Sequence, residues 1–414
     1  MNSLSLYVHK LRNVILFGAG AVIDWNGPTT PELTSLIRKC GFFIKGGKTT
    51  ITDFIYQKLI DESDYPVEQI NFETIINVIE ELLVYYAEHG LRKQLPSLIK
   101  SFFNPRFEDE IMNYTVISEV GTNRYKLQFN QIEDKYATWA RLDTPPQQFF
   151  LQLLLSELLT QISIRIEKYS YHAPGKSNVI TIDNAAKNLA FQKWAAKLAR
   201  NGILRMYSLN YDRNFKILVE KAHPAIPVFE GFECGHTVPY VTYLRPNVQR
   251  IIKDDECHTH YNLHGSIFWQ IKALNRYGLP LPEYFLTSNA YLEVNTEEFP
   301  TFQSEKGKTV FLTNVVTGYQ KTQRAIFSPF KQMQATLDKD CLFADRIIVI
   351  GYSFGDEHIN SSIRTALQYN EKLKLEIIDP SFTKNEFDWD MMLKIFAASP
   401  NMENLPKRKS STDV

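Results

Sequence analysis

Five short motifs in this sequence combine small residues with polar side chains that could contact a ligand. In chain order they are Gly18-Ala19-Gly20, Asn210-Tyr211-Asp212, His264-Gly265, Gly351-Tyr352-Ser353 and Asp379. Glycines let a backbone approach a phosphate closely, amide and carboxylate groups orient polar ligands, and histidine exchanges protons near neutral pH. Together these residue types suit a nucleotide site.

The first motif follows an apolar strand, as the glycine turns of dinucleotide sites do. The third glycine of the usual dehydrogenase fingerprint is absent, because Ile23 stands in its place. A conventional dehydrogenase is therefore disfavoured, and a plain strand-to-helix turn would explain the two glycines about as well as a nucleotide would.

The other polar residues have ordinary structural interpretations as well. Asn210 and Asp212 are common turn and helix-capping residues, and His264 could be a hydrogen-bonded histidine at a strand end. Asp356 could be a simple N-cap, and Asp379 could start a turn or bind an adenosine ribose. These alternatives stay open at the level of the sequence.

The elements that must position the motifs are short apolar strands separated by helices. Strands are expected at Asn13–Phe17, Ile203–Leu209, His260–Leu263, Ala325–Phe327, Arg346–Ile350 and Leu373–Ile378. Nearly wholly apolar strands that alternate with helices indicate a parallel sheet covered on both faces. We predict an α/β fold with a doubly wound, Rossmann-like parallel sheet, whose ligands bind beyond the carboxyl ends of the strands.

A second region, from about Phe42 to Arg200, has long apolar runs at helical spacing. Helices are predicted over Phe72–Tyr86, Phe149–Ile166 and Asn184–Arg200, and a small hairpin over Tyr114–Phe129. We divide the chain into a discontinuous nucleotide-binding domain, a helical insertion and a polar tail: residues 1–41 with 200–385, residues 42–199, and residues 386–414. The insertion is expected to mediate self-association or partner docking, because its runs carry much apolar surface.

Composition sets the broad class of the protein. Its 414 residues are 44% hydrophobic, with 46 basic and 46 acidic side chains, which argues against nucleic-acid or membrane binding through bulk charge. The four cysteines are Cys40, Cys234, Cys257 and Cys341, with no C-x-x-C pair. We therefore expect no disulfide framework, no structural zinc and a cytoplasmic location.

In order and content the motifs resemble those of the sirtuins. That family has Gly-Ala-Gly, Gln-Asn-Ile-Asp, His-Gly and Gly-Thr-Ser, matched here at Gly18–Gly20, Leu209–Asp212, His264–Gly265 and Gly351–Ser353. The resemblance covers about residues 10–40 and 198–385. The four-cysteine zinc module of protein deacylases is missing, the Trp25–Pro31 loop lacks their Asp-Phe-Arg, and Tyr352 replaces the usual threonine.

These departures resemble the divergent bacterial sirtuin-like proteins of antiviral defence, in which the domain destroys NAD. The resemblance implies a sirtuin-type fold and an NAD⁺ hydrolase that releases nicotinamide and ADP-ribose without zinc. It also implies a homo-oligomer that partners a HerA-type ATPase, with no membrane or direct nucleic-acid contact. A protein deacylase and a non-catalytic sensor of NAD or ADP-ribose are the competing interpretations.

The resemblance also implies a role for each site residue. Asp212 would hold the nicotinamide carboxamide, Asn210 would order the ribose and the attacking water, and His264 would act as general base. The cofactor-binding set would be Gly18, Ala19, Gly20, Gly351 and Ser353 around the phosphates, and Asp379 on the adenosine ribose.

Overall fold

A computed structural model describes most of the first 379 residues of the chain. The described residues are 10–62, 66–86, 109–129, 139–141, 144–224, 227–238, 241–276, 279–290, 302–305, 308–310, 312–317, 321 and 325–379. The predicted polar tail, residues 386–414, lies outside them.

The described strands and helices alternate over much of the chain. The strands are β1 (Leu11–Phe17), β2 (Tyr114–Ser118), β3 (Arg124–Phe129), β4 (Ala140–Arg141), β5 (His172–Ala173), β6 (Lys176–Ser177), β7 (Gly202–Ser208), β8 (Val228–Phe229), β9 (Phe232–Val238), β10 (Val241–Pro246), β11 (His258–Asn262), β12 (Trp269–Arg276), β13 (Leu279–Thr287), β14 (Phe302–Glu305), β15 (Lys308–Val310), β16 (Arg346–Ile350) and β17 (Lys374–Ile378). The helices are α1 (Thr30–Arg38), α2 (Ile51–Glu62), α3 (Phe72–Tyr86), α4 (Pro146–Ser170), α5 (Ala185–Asn201), α6 (Asn214–Ala222), α7 (Val248–Lys253), α8 (Phe330–Leu342) and α9 (Glu357–Tyr369), with 3-10 turns at Ala19–Trp25 and Val67–Gln69.

Six strands form one central sheet in the order β17-β16-β1-β7-β11-β8. Every pair in this sheet is parallel. The apolar runs explain this arrangement, because Val14–Phe17 and Ile347–Val349 are almost completely buried and require cover on both faces. The predicted parallel α/β architecture is confirmed.

One predicted strand is wrong. Ala325–Phe327 forms a turn before α8, and Ile326 is 49% exposed. The run has only three residues before Ser328-Pro329, and proline lacks the N–H that a strand ladder uses. The sixth strand of the sheet is instead β8, at Val228–Phe229, which pairs with β11.

Helices cover both faces of the sheet. On one face, Phe17 of β1 stacks on Phe215 of α6 at 3.8 Å between ring centroids, and Phe191 of α5 lies 5.1 Å from Phe215. On the opposite face, Asp340 of α8 accepts hydrogen bonds from β7, which fixes that helix against the strands. The sheet is therefore doubly wound.

The helices of the predicted insertion pack together and onto the sheet domain. Helices α1, α3 and α4 contact one another, and α5 lies against β7. The buried cluster runs without interruption from the sheet through Ile37, Ile79 and Leu155. The predicted hairpin is confirmed by the antiparallel pairing of β2 with β3.

Helix α4 is long and apolar enough, by length and composition, to cross a membrane. It is the one such helix among the described residues, and 67% of its most apolar window is buried inside the protein. Its buried side chains include Leu154, Leu158 and Ile162. Burial on this scale is what a core helix shows.

Candidate active site

The five motifs lie at one edge of the central sheet. Backbone hydrogen bonds extend the strand pairing past the last residues: Leu209 N to Phe17 O, Leu263 N to Ser208 O, Gly18 N to Ile350 O and Gly351 N to Ile378 O, at 2.9 to 3.1 Å. Because the strands are parallel, their carboxyl ends share this edge. The predicted site residues are thus brought together in the order Asp379, Gly351, Gly18, Asn210, His264 along the edge.

Asn210 is held between the first and third motifs. Its side-chain Nδ2 donates to the Gly18 carbonyl at 2.8 Å, and the residue is 7% exposed. Asn262 Nδ2 donates to the carbonyls of both Asn210 and Asp212, each at 2.8 Å. Sequence reasoning did not single out Asn262, although it stands two residues before His264 at the end of β11.

Asp212 is buried and both of its carboxylate oxygens accept hydrogen bonds. Oδ2 accepts from the Tyr169 hydroxyl of α4 at 2.6 Å, and Oδ1 accepts from the Asn214 N–H at 2.9 Å. The second bond spans two residues and forms a turn just before α6, whose N-cap is Arg213, so the turn interpretation holds for this oxygen and the helix-capping one does not. Burial raises the pKa of Asp212, while the bonds from Tyr169 and Asn214 lower it.

His264 is 3% exposed, and its Nε2 has no hydrogen-bond partner among the described residues. The Leu209 backbone favours the protonated ring, but this influence is smaller than those that lower the pKa. Burial, followed by the charge of Lys321, lowers the pKa of His264 to about 3. The ring is therefore neutral at pH 7, and the ordinary pKa near 6.5, on which the sequence-based choice of a base rested, does not apply here.

Three charged residues, Lys321, Asp356 and Glu73, form a cluster of ion pairs next to His264. Lys321 Nζ lies 2.8 Å from Asp356 Oδ1 and 2.9 Å from Glu73 Oε1. Burial raises the pKa of Asp356, but His264 and Lys321 lower it, to about 2. Glu73 belongs to α3, so the helical region reaches the site. Nothing in the sequence pattern distinguished Glu73 or Lys321, because their partners are remote in the chain.

The glycines of the first and fourth motifs are explained by loop packing. A Cβ on Gly18 would lie 2.4 Å from the Gly351 carbonyl oxygen, and one on Gly351, at φ +58°, would lie 2.3 Å from the Ala21 nitrogen. The amides of Gly18 and Gly20 donate to the carbonyls of Ile350 and Gly351. The contact between the loops therefore requires glycine without any ligand, while Ala19 and Ser353 remain exposed.

The Trp25–Pro31 loop is anchored by the helical region. Trp25 Nε1 donates to Asn188 Oδ1 of α5 at 2.7 Å, and Arg165 of α4 donates to the Asn26 carbonyl at 3.0 Å. Thr29 then caps α1 in a capping box with Glu32. Helices α4 and α5 thus fix the loop that follows the first glycine motif.

A pocket of about 280 Å³ opens beside α6, next to the second motif. Its lining includes His172, Arg213, Lys216 and Phe268. Both Arg213 and Lys216 form ion pairs with Glu230, so much of the positive charge is neutralised. None of the five motifs contributes to its wall, and we place the candidate site at the strand ends.

Within the described part of the chain, no group of three or more His, Cys, Asp and Glu side chains could hold a metal ion. Comparison with models of known protein families and with curated protein sequences finds no match to this chain. Its activity therefore has to be inferred from the geometry of the strand ends and from the motif resemblance.

Proposed function

We propose that this protein is an NAD⁺ glycohydrolase, which cleaves the bond between nicotinamide and ribose and releases nicotinamide and ADP-ribose. One observation carries the proposal: the buried, neutral Nε2 of His264, which has no hydrogen-bond partner in the described part of the chain, lies at the sheet edge that also holds Asn210 and Asp212. A neutral ring nitrogen in this position accepts a hydrogen bond or a proton from a ribose hydroxyl or water.

The charge of the site suits the departure of nicotinamide. As the bond breaks, positive charge develops on the ribose in an oxocarbenium-like transition state. Asp356 holds a carboxylate oxygen 4.0 Å from His264 Nε2, and Lys321 links this carboxylate to Glu73, whose pKa burial raises. Preorganised negative charge close to a developing cation lowers its free energy.

Unpartnered polar groups beside His264 support a polar ligand. The segment from Asn314 to Thr317 runs alongside it, with Val316 N donating to the His264 carbonyl at 2.8 Å. The Asn314 amide and the Thr317 hydroxyl are buried and have no hydrogen-bond partner in the described residues. Each such group costs about 1–3 kcal/mol, a cost that hydrogen bonds to a bound dinucleotide would offset.

In the proposal Asp212 accepts a hydrogen bond from the nicotinamide carboxamide and keeps its bonds from Tyr169 and Asn214. Its oxygens accept from Tyr169 and Asn214, and each carboxylate oxygen has a further lone pair. In the proposal Asn210 orders the ribose and the water, and Ala19, Ser353 and the backbone near them meet the phosphates.

The proposal extends to the sirtuin-type fold, the absence of zinc, a cytoplasmic homo-oligomer and a HerA-type ATPase partner in antiviral defence. The fold type, the ATPase partner and the defence role rest on the motif resemblance, the absence of zinc and the cytoplasmic location on the cysteine pattern, and the homo-oligomer on the apolar helical region. A protein deacylase is disfavoured by the missing zinc module, and a pure sensor of NAD has no need of a buried neutral base.

Purified full-length protein, incubated with NAD⁺ with and without phage-derived triggers or an ATPase partner, tests the proposal through nicotinamide release. His264→Ala and Asn210→Ala should each lower turnover by about 10²- to 10⁴-fold, the usual cost of losing a positioned base, while the fold and some NAD binding persist. His236→Ala, which removes an exposed histidine of β9, is the matched control.

Each competing interpretation has its own outcome. Nicotinamide release that requires an acylated peptide would identify a deacylase. NAD binding without release under every condition would identify a sensor. Wild-type turnover in a folded His264→Ala protein would refute the assigned site.

A further inference from the structure

Asp356 holds one carboxylate oxygen near the His264 nitrogen that has no hydrogen-bond partner among the residues the structure describes. Its Oδ2 lies 4.0 Å from His264 Nε2, a distance beyond a hydrogen bond but within reach of an ion pair. Asp356 occupies the N-cap position of α9, yet its side chain makes no capping hydrogen bond. The N-cap interpretation is therefore right for the position of this residue, but capping does not account for its carboxylate.

The loop before α9 holds the Asp356 backbone in place. The Asp356 N–H donates to the Tyr352 hydroxyl at 2.9 Å, and that hydroxyl lies 3.0 Å from Asn360 Oδ1. Asn360 Nδ2 in turn donates to the Phe354 carbonyl at 2.8 Å. Tyr352 thus has a structural task that the smaller threonine of the related motif could not perform across this distance.

Lys321, Asp356 and His358 act on the charge of His264, and Glu73 is joined to them through Lys321. Asp356 and Glu73 are carboxylates, Lys321 is a cation between them, and His358 lies 5.8 Å from His264 between ring centroids. Burial lowers the pKa of His358, so that ring is neutral at pH 7. Among the charges that act on the His264 ring, the Lys321 cation lowers its pKa more than the Asp356 carboxylate raises it.

We propose that Asp356 is a positioning residue for His264, whose carboxylate stabilises the ring when Nε2 becomes protonated, and that Lys321 attenuates this effect. The inference rests on the proposed NAD⁺ cleavage. In that step an O–H bond of water breaks and an N–H bond forms at Nε2. The water oxygen uses its electron pair to bond to the ribose carbon that carried nicotinamide, nicotinamide leaves with the electrons of its former bond, and Nε2 afterwards returns the proton to solvent.

Replacing Lys321 and replacing Asp356 should change the pKa of His264 in opposite directions. Its ammonium group is bound to Asp356 Oδ1 and to Glu73, so it neutralises part of the charge that His264 experiences. Removing Lys321 should make protonation of His264 easier, and removing the Asp356 charge should make it harder. A purely structural role would give both changes the same effect, a loss of stability.

The kinetic experiment compares Asp356→Asn with Glu357→Gln, a matched control at an exposed carboxylate next to it in the chain. Asp356→Asn should lower kcat by about 10- to 100-fold, the effect of one to two pKa units on the protonated ring. KM should stay within about threefold, because Asp356 acts on the step and not on ground-state binding. Asp356→Glu should recover part of kcat, and Glu357→Gln should match wild type.

The second experiment needs no turnover. NMR titration of ring-labelled histidines in the full chain, with His264 assigned from a His264→Gln spectrum, follows its protonation directly. Lys321→Gln should shift the His264 titration to higher pH, and adding Asp356→Asn to Lys321→Gln should abolish that shift.

The two experiments separate the outcomes. An unchanged kcat in folded Asp356→Asn, a titration that Lys321→Gln does not move, or an upward shift that persists in the double variant would overturn the inference. If the wild type releases no nicotinamide under any condition, the proposed function fails, and the titration still decides whether Asp356 controls the charge of His264. Should Asp356→Asn not fold alone, Asp356→Glu decides instead: it keeps the charge, so it should keep the wild-type His264 titration within the shift that Lys321→Gln causes, and a Glu variant that titrates like the free imidazole would overturn the inference.

Discussion

Asp340 and Asp356 are paired in different ways. The carboxylate of Asp340 faces the middle of the sheet, and that of Asp356 lies at the carboxyl ends of the strands. Asp340 of α8 faces β7 and is completely buried. Its Oδ1 accepts from Arg12 at 2.9 Å, and its Oδ2 accepts from Arg205 and Tyr207, each at 2.5 Å. Both oxygens of this carboxylate are therefore occupied by donors that belong to the sheet.

Asp356 is less completely paired. One oxygen binds Lys321, and the other faces a histidine nitrogen that has no partner of its own among the described residues. Satisfied buried networks make a structure rigid, whereas unsatisfied buried groups cost free energy unless a ligand or a function accounts for them. The fully paired carboxylate of Asp340 serves stability, although Arg205 Nη2 and both ring nitrogens of His260 in the middle of the sheet also have no partner among the described residues. We infer from its place at the strand ends that the edge cluster serves chemistry.

The largest expected difference between the two regions is in stability. Asp340→Ala leaves the guanidinium of Arg205, which is completely buried, without its counter-ion, and should cost about 3–5 kcal/mol of unfolding free energy. Asp356→Ala should cost less, because Lys321 keeps Glu73 as a partner. Urea unfolding of the two variants measures both losses, and equal losses would contradict the distinction.

A matched pair of tyrosine variants sharpens the comparison. Tyr169→Phe removes the hydroxyl that donates to Asp212 at the edge, and Tyr207→Phe removes the one that donates to Asp340. Each should cost about 1.5–3 kcal/mol, the range for a hydrogen bond to a charged group, with the smaller loss for Tyr207→Phe since two arginines still pair with Asp340. Only Tyr169→Phe should alter the kinetics of nicotinamide release. Altered kinetics in Tyr207→Phe at full folding would place the chemistry elsewhere.

The smallest expected effect is the acid sensitivity of two buried histidines. Burial lowers the pKa of mid-sheet His260 to about 4 and that of His264 to about 3. The unfolded chain, with histidine near 6.5, therefore binds more protons below that pH, and stability falls as the pH drops, by up to about 1.4 kcal/mol per pH unit for each ring.

Replacing His260 or His264 should remove the part of the acid-induced loss of unfolding free energy that this histidine causes. The difference in stability between His260→Leu and wild type, measured by denaturant unfolding at several pH values from 7 to 5, should move in favour of the variant as the pH falls. Glu81, whose pKa burial raises to about 7, contributes the opposite trend to both proteins and cancels in the difference. A difference in stability that stays constant with pH would show that His260 is not buried as described. Turnover separates the two histidines, because only His264 variants should lose it.

Much of the architecture followed from local patterns in the sequence. Runs such as Val14–Phe17 and Ile347–Val349 are apolar on every residue, which predicts strands buried on both faces, and polar residues just past them predict a site at the strand ends. The prediction failed at Ala325–Phe327, where a three-residue apolar run was taken for a strand and Val228–Phe229 was overlooked. Runs this short are decided by their neighbours in space.

The sequence by itself determined the parallel sheet and the identity of Asn210, Asp212 and His264 as its edge residues, because strand burial and turn chemistry depend on adjacent residues. Only the tertiary structure decided their partners. Glu73 and Tyr169 reach the edge from helices α3 and α4, and Lys321 joins from a third segment. Hydrogen bonds and ion pairs between remote segments leave no periodic trace in a sequence, and neither does the burial that lowers the pKa of His264.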